Sequence, residues 1–188
     1  MGMKANSGLF SNSLRTPFGF GSEHPKKYTD RGIEIPAIVK TWMNELRFKG
    51  DKIVGNKNDF SEKEVSILSK ETGVEYARLT IGDKTYLVRG DETGTDIPPT
   101  IFRDLVKEGG SLDYHSHPYD NDIIPSISDR NLMRRLKRLT GQQSSKIVTP
   151  NGKSATFNEY GVIEIGSVSN MIDEKSRKMY EELFGGKK

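Results

Sequence analysis

The chain has 188 residues, a formal net charge of +3 and a hydrophobic fraction of 33%, enough for one buried core with extensions. It has no cysteine, so disulfides and thiolate ligands are excluded, and any bound metal must use histidine and carboxylate donors. The charge is mild and no basic stripe interleaved with aromatics stands out, so nucleic acid is not an expected partner; no apolar run reaches the length of a membrane span or a signal-peptide core.

Residues 1–30 are rich in Gly, Ser, Asn and Lys and lack periodicity, which predicts a flexible N-terminal arm. His24 lies in this arm and reads as a surface residue. Residues 31–188 read as a single domain, with a motif-bearing core over about 61–166. A helix is predicted from Ile35-Pro36, with proline in the first turn and Ile38, Val39, Trp42, Met43 and Leu46 at helical spacing. Asp51 to Asn58 is polar, contains Gly55 and reads as a loop.

Ser61-Glu62-Lys63-Glu64 is a capping box ahead of a short helix, which Thr72-Gly73 ends. Val74 to Ile81 and Thr85 to Arg89 are β-rich runs around Gly82-Asp83-Lys84, a hairpin signal with a three-residue loop. Strand alternation puts Glu75, Ala77 and Leu79 on one face and Val74, Tyr76 and Arg78 on the other. An acid facing inward needs a partner; Arg78 and Arg89 are the nearby cations.

Thr95-Asp96-Ile97 reads as a short strand, and Pro98-Pro99 as the start of a helix carrying Ile101, Phe102, Leu105 and Val106, stopped by Gly109-Gly110. Ser111 to His115 is a predicted strand. A helix over Ile127 to Leu139 places Leu132, Met133, Leu136 and Leu139 on one stripe, and Gly141 closes it. The basic run Arg134 to Arg138 lies late in that helix, where cations suit the macrodipole, and reads as a solvated face. Ile147 to Thr149 and Ser154 to Phe157 form a second hairpin around Pro150-Asn151-Gly152-Lys153. Val162 to Ile165 is a further strand, and Asp173 to Phe184 a charged terminal helix. Hairpin-linked strands alternating with helices predict an α/β fold of α+β type, a mixed sheet flanked by helices.

The functional signal lies between Asp113 and Asp129. His115 and His117 are spaced i and i+2, so on an extended segment both imidazoles point to the same side. Two converging imidazoles are half of a transition-metal site. Asp129 follows after a short loop. Two His and one Asp leave one tetrahedral position open, the layout of a catalytic zinc site. Each part has a plainer use: His-x-His in a loop can be solvated, and Ser126-x-x-Asp129 is a capping-box variant that starts a helix.

His115-Ser116-His117-Pro118 followed by Ser126-Ile127-Ser128-Asp129 resembles the motif of the JAMM (JAB/MPN-type) zinc metallopeptidases, which reads H-[ST]-H-P, about six residues, then S-x-x-D, with a glutamate on an upstream strand. Seven residues, Tyr119 to Pro125, separate the two halves here, one more than the commonest pattern. The resemblance covers roughly Val74 to Ile165. It implies a curved mixed sheet with flanking helices, a JAMM/cytidine-deaminase-like core, and a Zn2+ held by His115, His117 and Asp129. It further implies that Ser126 helps hold the substrate carbonyl and the developing oxyanion, and that an upstream glutamate moves the proton. Glu75 fits that place; Glu71 and Glu92 are its rivals.

The expected activity is hydrolysis of an amide bond in a protein or peptide, with a ubiquitin-like protein or a processed toxin or precursor as candidate substrates. The expected location is cytoplasmic, or secreted within a larger effector. The alternatives are a non-catalytic JAMM-like scaffold or binding module, and a JAB-like toxin domain of a polymorphic toxin system. Phosphoesterases of the PHP type also begin with His-x-His but need several more histidines, and only His24 remains.

Overall fold

The computed structural model describes residues 35–168. The expected N-terminal arm, His24 and the terminal helix over Asp173 to Phe184 lie outside the described residues.

Pro36 precedes α1 (Ala37–Glu45). Its buried stripe is Val39, Trp42 and Leu46, at i, i+3 and i+7; Ile38, one position off that stripe, is 44% exposed. Residues 51–58, expected as loop, contain β1 (Lys52–Asn56). This strand lies at the sheet edge, with Ile53 opposite Leu87. None of its side chains is fully buried, so the stretch carries no apolar alternation that would announce a strand. Ser61 caps α2 (Glu62–Thr72), its Oγ accepting from the Glu64 N–H, but the Glu64 carboxylate accepts from the Ser61 hydroxyl at 2.6 Å rather than from the backbone N–H of a full capping box, and left-handed Gly73 closes the helix.

The first hairpin is β2 (Tyr76–Ile81) and β3 (Lys84–Arg89). Ile81 pairs directly with Lys84, so its loop is the two residues Gly82-Asp83 rather than three. Gly82 adopts φ +61° at the first central position, the conformation a tight primed turn demands. Strand β2 begins at Tyr76, two residues later than expected, yet the backbone pairing continues past it. The Glu75 N–H donates to Asp91 O at 2.9 Å and the Gly90 N–H to Glu75 O at 2.8 Å.

Thr95 to Ile97 forms no strand. The isolated Asp91–Gly94 bridge just before it is a local turn, and the following residues pair with no strand before Pro98-Pro99. Then follow α3 (Pro99–Lys107), β4 (Ser111–Ser116), α4 (Ile127–Thr140), β5 (Ser145–Val148), β6 (Lys153–Asn158) and β7 (Gly161–Ser167). Met133 and Leu136 form the buried stripe of α4, while Leu139 in its last turn is 43% exposed. No described helix is long and apolar enough to cross a membrane.

The strand order is β1-β3-β2-β4-β5-β6-β7. Only β4 and β5 run parallel among the described strands; every other pair is antiparallel. The result is the expected mixed sheet with helices on both faces. Tyr76, Leu87, Tyr114 and Val148 pack with Val39, Trp42, Val65 and Leu68 of α1 and α2. Ala77, Leu79, Val88, Ile147 and Phe157 pack with Ile101, Leu105, Met133 and Leu136 of α3 and α4. The period-two alternation of the strands therefore divides the core into two layers, and Glu75 falls on the α3/α4 side by the same alternation.

Candidate metal centre

The register of β4 against β2 builds the centre. Tyr76 lies opposite Ser116 and Ala77 opposite His115, so Glu75 and His117 meet one step beyond. Ser116 Oγ accepts from the Tyr76 N–H at 3.0 Å and locks that register. His115 and His117 are both buried. Their Nε2 atoms face each other across 3.1 Å, and the edge of the His115 ring stands against Phe157, with centroids 5.4 Å apart.

The fourth group comes from α4. Asp129 sits at its third position, where Ser126 and Asp129 form a complete capping box: the Ser126 N–H donates to Asp129 Oδ2 at 2.7 Å and the Asp129 N–H to Ser126 Oγ at 3.1 Å. Capping uses Oδ2 and leaves Oδ1 3.4 Å from His115 Nε2. One carboxylate thus starts the helix and faces the histidines.

The structure brings Glu75, His115, His117 and Asp129 together. Glu75, His115 and His117 form a buried group able to hold a metal ion, and Asp129 adjoins it. Two nitrogens bound to zinc at about 2.0–2.1 Å in tetrahedral geometry stand roughly 3.3 Å apart. The His115 to His117 and His115 to Asp129 separations of 3.1 and 3.4 Å fit that edge. Glu75 Oε1 lies 3.8 Å from His117 Nε2, and its Oε2 is buried without a hydrogen-bond partner. Such an orphaned acceptor is unusual in a folded interior and fits a site made for a cation or its water.

Glu75 has neither of the expected arginine partners. Arg78 forms an ion pair with Asp113 and donates to Asp59 O, and Arg89 donates to Leu46 O at 2.6 Å. Glu71 and Glu92 are exposed and outside the cluster. Ser126 is exposed at the helix start and hydrogen-bonded to Asp129.

The electrostatics separate the two carboxylates. Burial pushes the Glu75 carboxyl up to about 7; the His115 charge opposes this and Asp129 adds to it. Burial acts on Asp129 in the same direction, but hydrogen bonds from His115 and Ser126 and the His115 charge overcome it and hold the carboxyl well below its usual range. Burial lowers His115, yet the Asp129 hydrogen bond and charge outweigh it and the net direction is up. Burial and the neighbouring His115 charge lower His117.

Two residues that the motif does not contain also take part. The His117 Nδ1–H donates to the Asp122 carbonyl at 2.7 Å, with Asp122 Oδ2 3.3 Å away. Asn121, just before it, has φ +65°. The available signal was an Asp-Asn-Asp run in a short loop, residue types that tolerate left-handed backbone, but nothing local links that run to a histidine.

No family model matches the chain, and no solved structure matches it. Among curated proteins, a mitochondrial DNA topoisomerase 2 of Dictyostelium discoideum is similar, 27% identical over 147 residues. That alignment covers 73% of this chain but only 11% of the topoisomerase. The chain therefore spans a small part of that protein's length, and the likeness carries neither its activity nor its substrate with it.

Proposed function

We propose that this chain is a zinc-dependent peptidase or isopeptidase of JAMM type, cleaving an amide bond in a protein or peptide. The observation that carries the proposal is a buried cluster in which the two Nε2 atoms face each other, Asp129 Oδ1 lies 3.4 Å from His115 Nε2, and the Glu75 carboxyl, with one oxygen unpartnered, stands beside His117. His115, His117 and Asp129 would hold the ion. When bound, it supplies Lewis acidity, acidifying water to a pKa of about 7 and polarising a carbonyl.

The chain's own residues do the rest. Glu75 removes a proton from the attacking water and delivers it to the leaving amine, the task of a carboxylate placed beside the metal. Ser126 presents a hydroxyl at the helix start, where a developing oxyanion would also meet the positive end of α4. A groove of about 480 Å³ between α3 and α4, lined by Ile97, Phe102, Leu132 and Arg135, extends to Ser128, next to Asp129. It offers apolar and cationic surface to a peptide segment.

The test is metal content by elemental analysis of protein made without added metal, followed by cleavage of a peptide library. About one zinc per chain is expected, lost in His115→Ala and in His117→Ala. Stoichiometric zinc surviving in both variants would overturn the assignment.

A further inference from the structure

We propose that Asn121 is a positioning residue for His117: clamped by the turn between β5 and β6, it holds the Asp122 carbonyl where it takes the Nδ1 proton, leaving Nε2 bare to bind a cation. This rests on the metal-site proposal above and adds to it a device outside the motif.

A neutral imidazole has two tautomers, and the acceptor at one nitrogen decides which is present. Here the acceptor is a backbone carbonyl in an exposed loop, which by itself would hold nothing still. The loop is fixed from outside. Asn121 Oδ1 accepts from Asn151 Nδ2 at 2.9 Å and from Lys153 Nζ at 2.6 Å. Asn151 is anchored in turn, its Oδ1 accepting from Thr149 Oγ1 at 2.7 Å and from the Lys153 N–H at 3.2 Å.

The backbone of Asn121 is left-handed, a conformation in which only it and Phe60 stand among the described non-glycine residues. Asn accepts that conformation more readily than most side chains. The Ile123 N–H donates to Asn121 O at 3.0 Å, closing a tight turn over Asp122. The carbonyl of Asp122 is thereby turned inward to His117 Nδ1. The backbone N–H of His117 donates to Val148 O at 3.0 Å. Both the backbone and the ring of His117 are thus referenced to the same β5–β6 hairpin. His115 has no such device: its Nδ1 is buried without a partner.

The test uses the metal-free full chain and reads the His117 tautomer from ¹⁵N histidine shifts, with zinc titration alongside. Asn121→Gly keeps the left-handed backbone and removes the clamp. It is expected to turn a pure Nδ1–H state into a mixture and to weaken zinc by up to about 10- to 100-fold, the cost of losing the ligand's hydrogen-bond partner outright. Asn121→Asp keeps the oxygen that both donors use, and should restore tautomer and affinity. Lys153→Met, outside the loop, should shift the tautomer in the same direction as Asn121→Gly. An unchanged tautomer in Asn121→Gly and Lys153→Met would overturn the proposal whatever the zinc affinity does. If the wild type binds no zinc, the metal assignment fails, while the tautomer shift still decides for or against the clamp.

Discussion

Glu75 Oε1 lies 3.8 Å from His117 Nε2, and the other oxygen of the same carboxylate is buried without a hydrogen bond. The site thus holds a carboxyl whose ionised form is penalised, and this has a measurable signature in the metal-free protein. The folded carboxyl keeps its proton up to about 7, whereas the unfolded one loses it near 4.5. Between those values the unfolded chain binds fewer protons, so stability falls as pH rises, and above about 7 the loss is complete. At about 1.4 kcal/mol per pH unit the span is roughly 3 kcal/mol. Glu75→Gln should flatten this slope and be the more stable protein at pH 8, as read by urea denaturation at a series of pH values. With a substrate in hand, the same variant should retain zinc and lose a factor of about 10² to 10⁴ in rate.

Asp129 divides its two oxygens between helix and histidines, so its variants should separate two properties. Asp129→Asn keeps an acceptor for the Ser126 N–H but faces the imidazoles without a charge; it should lose zinc and keep its helix. Asp129→Ala loses the cap as well, at about 1 kcal/mol more. In the wild type the depressed Asp129 carboxyl stabilises the fold above the ordinary carboxylate range, and that contribution is lost progressively as pH falls from that range towards the depressed value of the folded carboxyl. Neither variant should show that acid-side loss. Thermal melts of zinc-free protein and elemental analysis of the purified variants make the comparison.

Gly90 sits where a side chain cannot. A Cβ there would meet the Gly94 carbonyl oxygen at 2.2 Å and Thr95 Cα at 2.9 Å, and Gly90 is also the backbone partner of Glu75. Gly90→Ala should therefore cost about 1–3 kcal/mol and displace Glu75. The expected result is a lowered melting temperature together with reduced turnover at unchanged zinc content, a combination that a purely peripheral loop would not give.

Arg78 ties β2 to β4 and to the chain ahead of α2: it pairs with Asp113 and donates to Asp59 O and Lys57 O. Asp113 also accepts from Thr80 and Ser111 hydroxyls. Arg78→Met leaves a half-buried carboxylate without its cation and should destabilise by roughly 2–3 kcal/mol. Arg78→Met combined with Asp113→Asn should recover part of that loss in urea denaturation, because the stranded charge is gone.

Signals that act over a few residues were legible in the sequence. The Ser61 and Ser126 caps, the glycine stops at Gly73 and Gly141, the first hairpin (though not the length of its turn) and the helical stripes depend on chemistry within one or two turns of chain. Strand β1 was not legible, because it joins the sheet at an edge and buries no side chain fully; what makes it a strand is β3. The alternation around Glu75 correctly gave its face, but not its lack of an arginine. Arg78 and Arg89 are satisfied by Asp113 and by Leu46 O, choices made by distant parts of the fold. The Asn121 clamp spans 30 and 32 residues and leaves no local pattern.

The one parallel pair among the described strands, β4 with β5 and α4 between them, bears on the order in which the centre assembles. His115, His117 and Asp129 all belong to that one crossover, so only a short loop closes to gather them, whereas Glu75 arrives with a strand 40 residues upstream of His115. Under the proposed function, a refolding chain could capture an ion before Glu75 docks. Metal loading and catalytic competence would then be successive events in time.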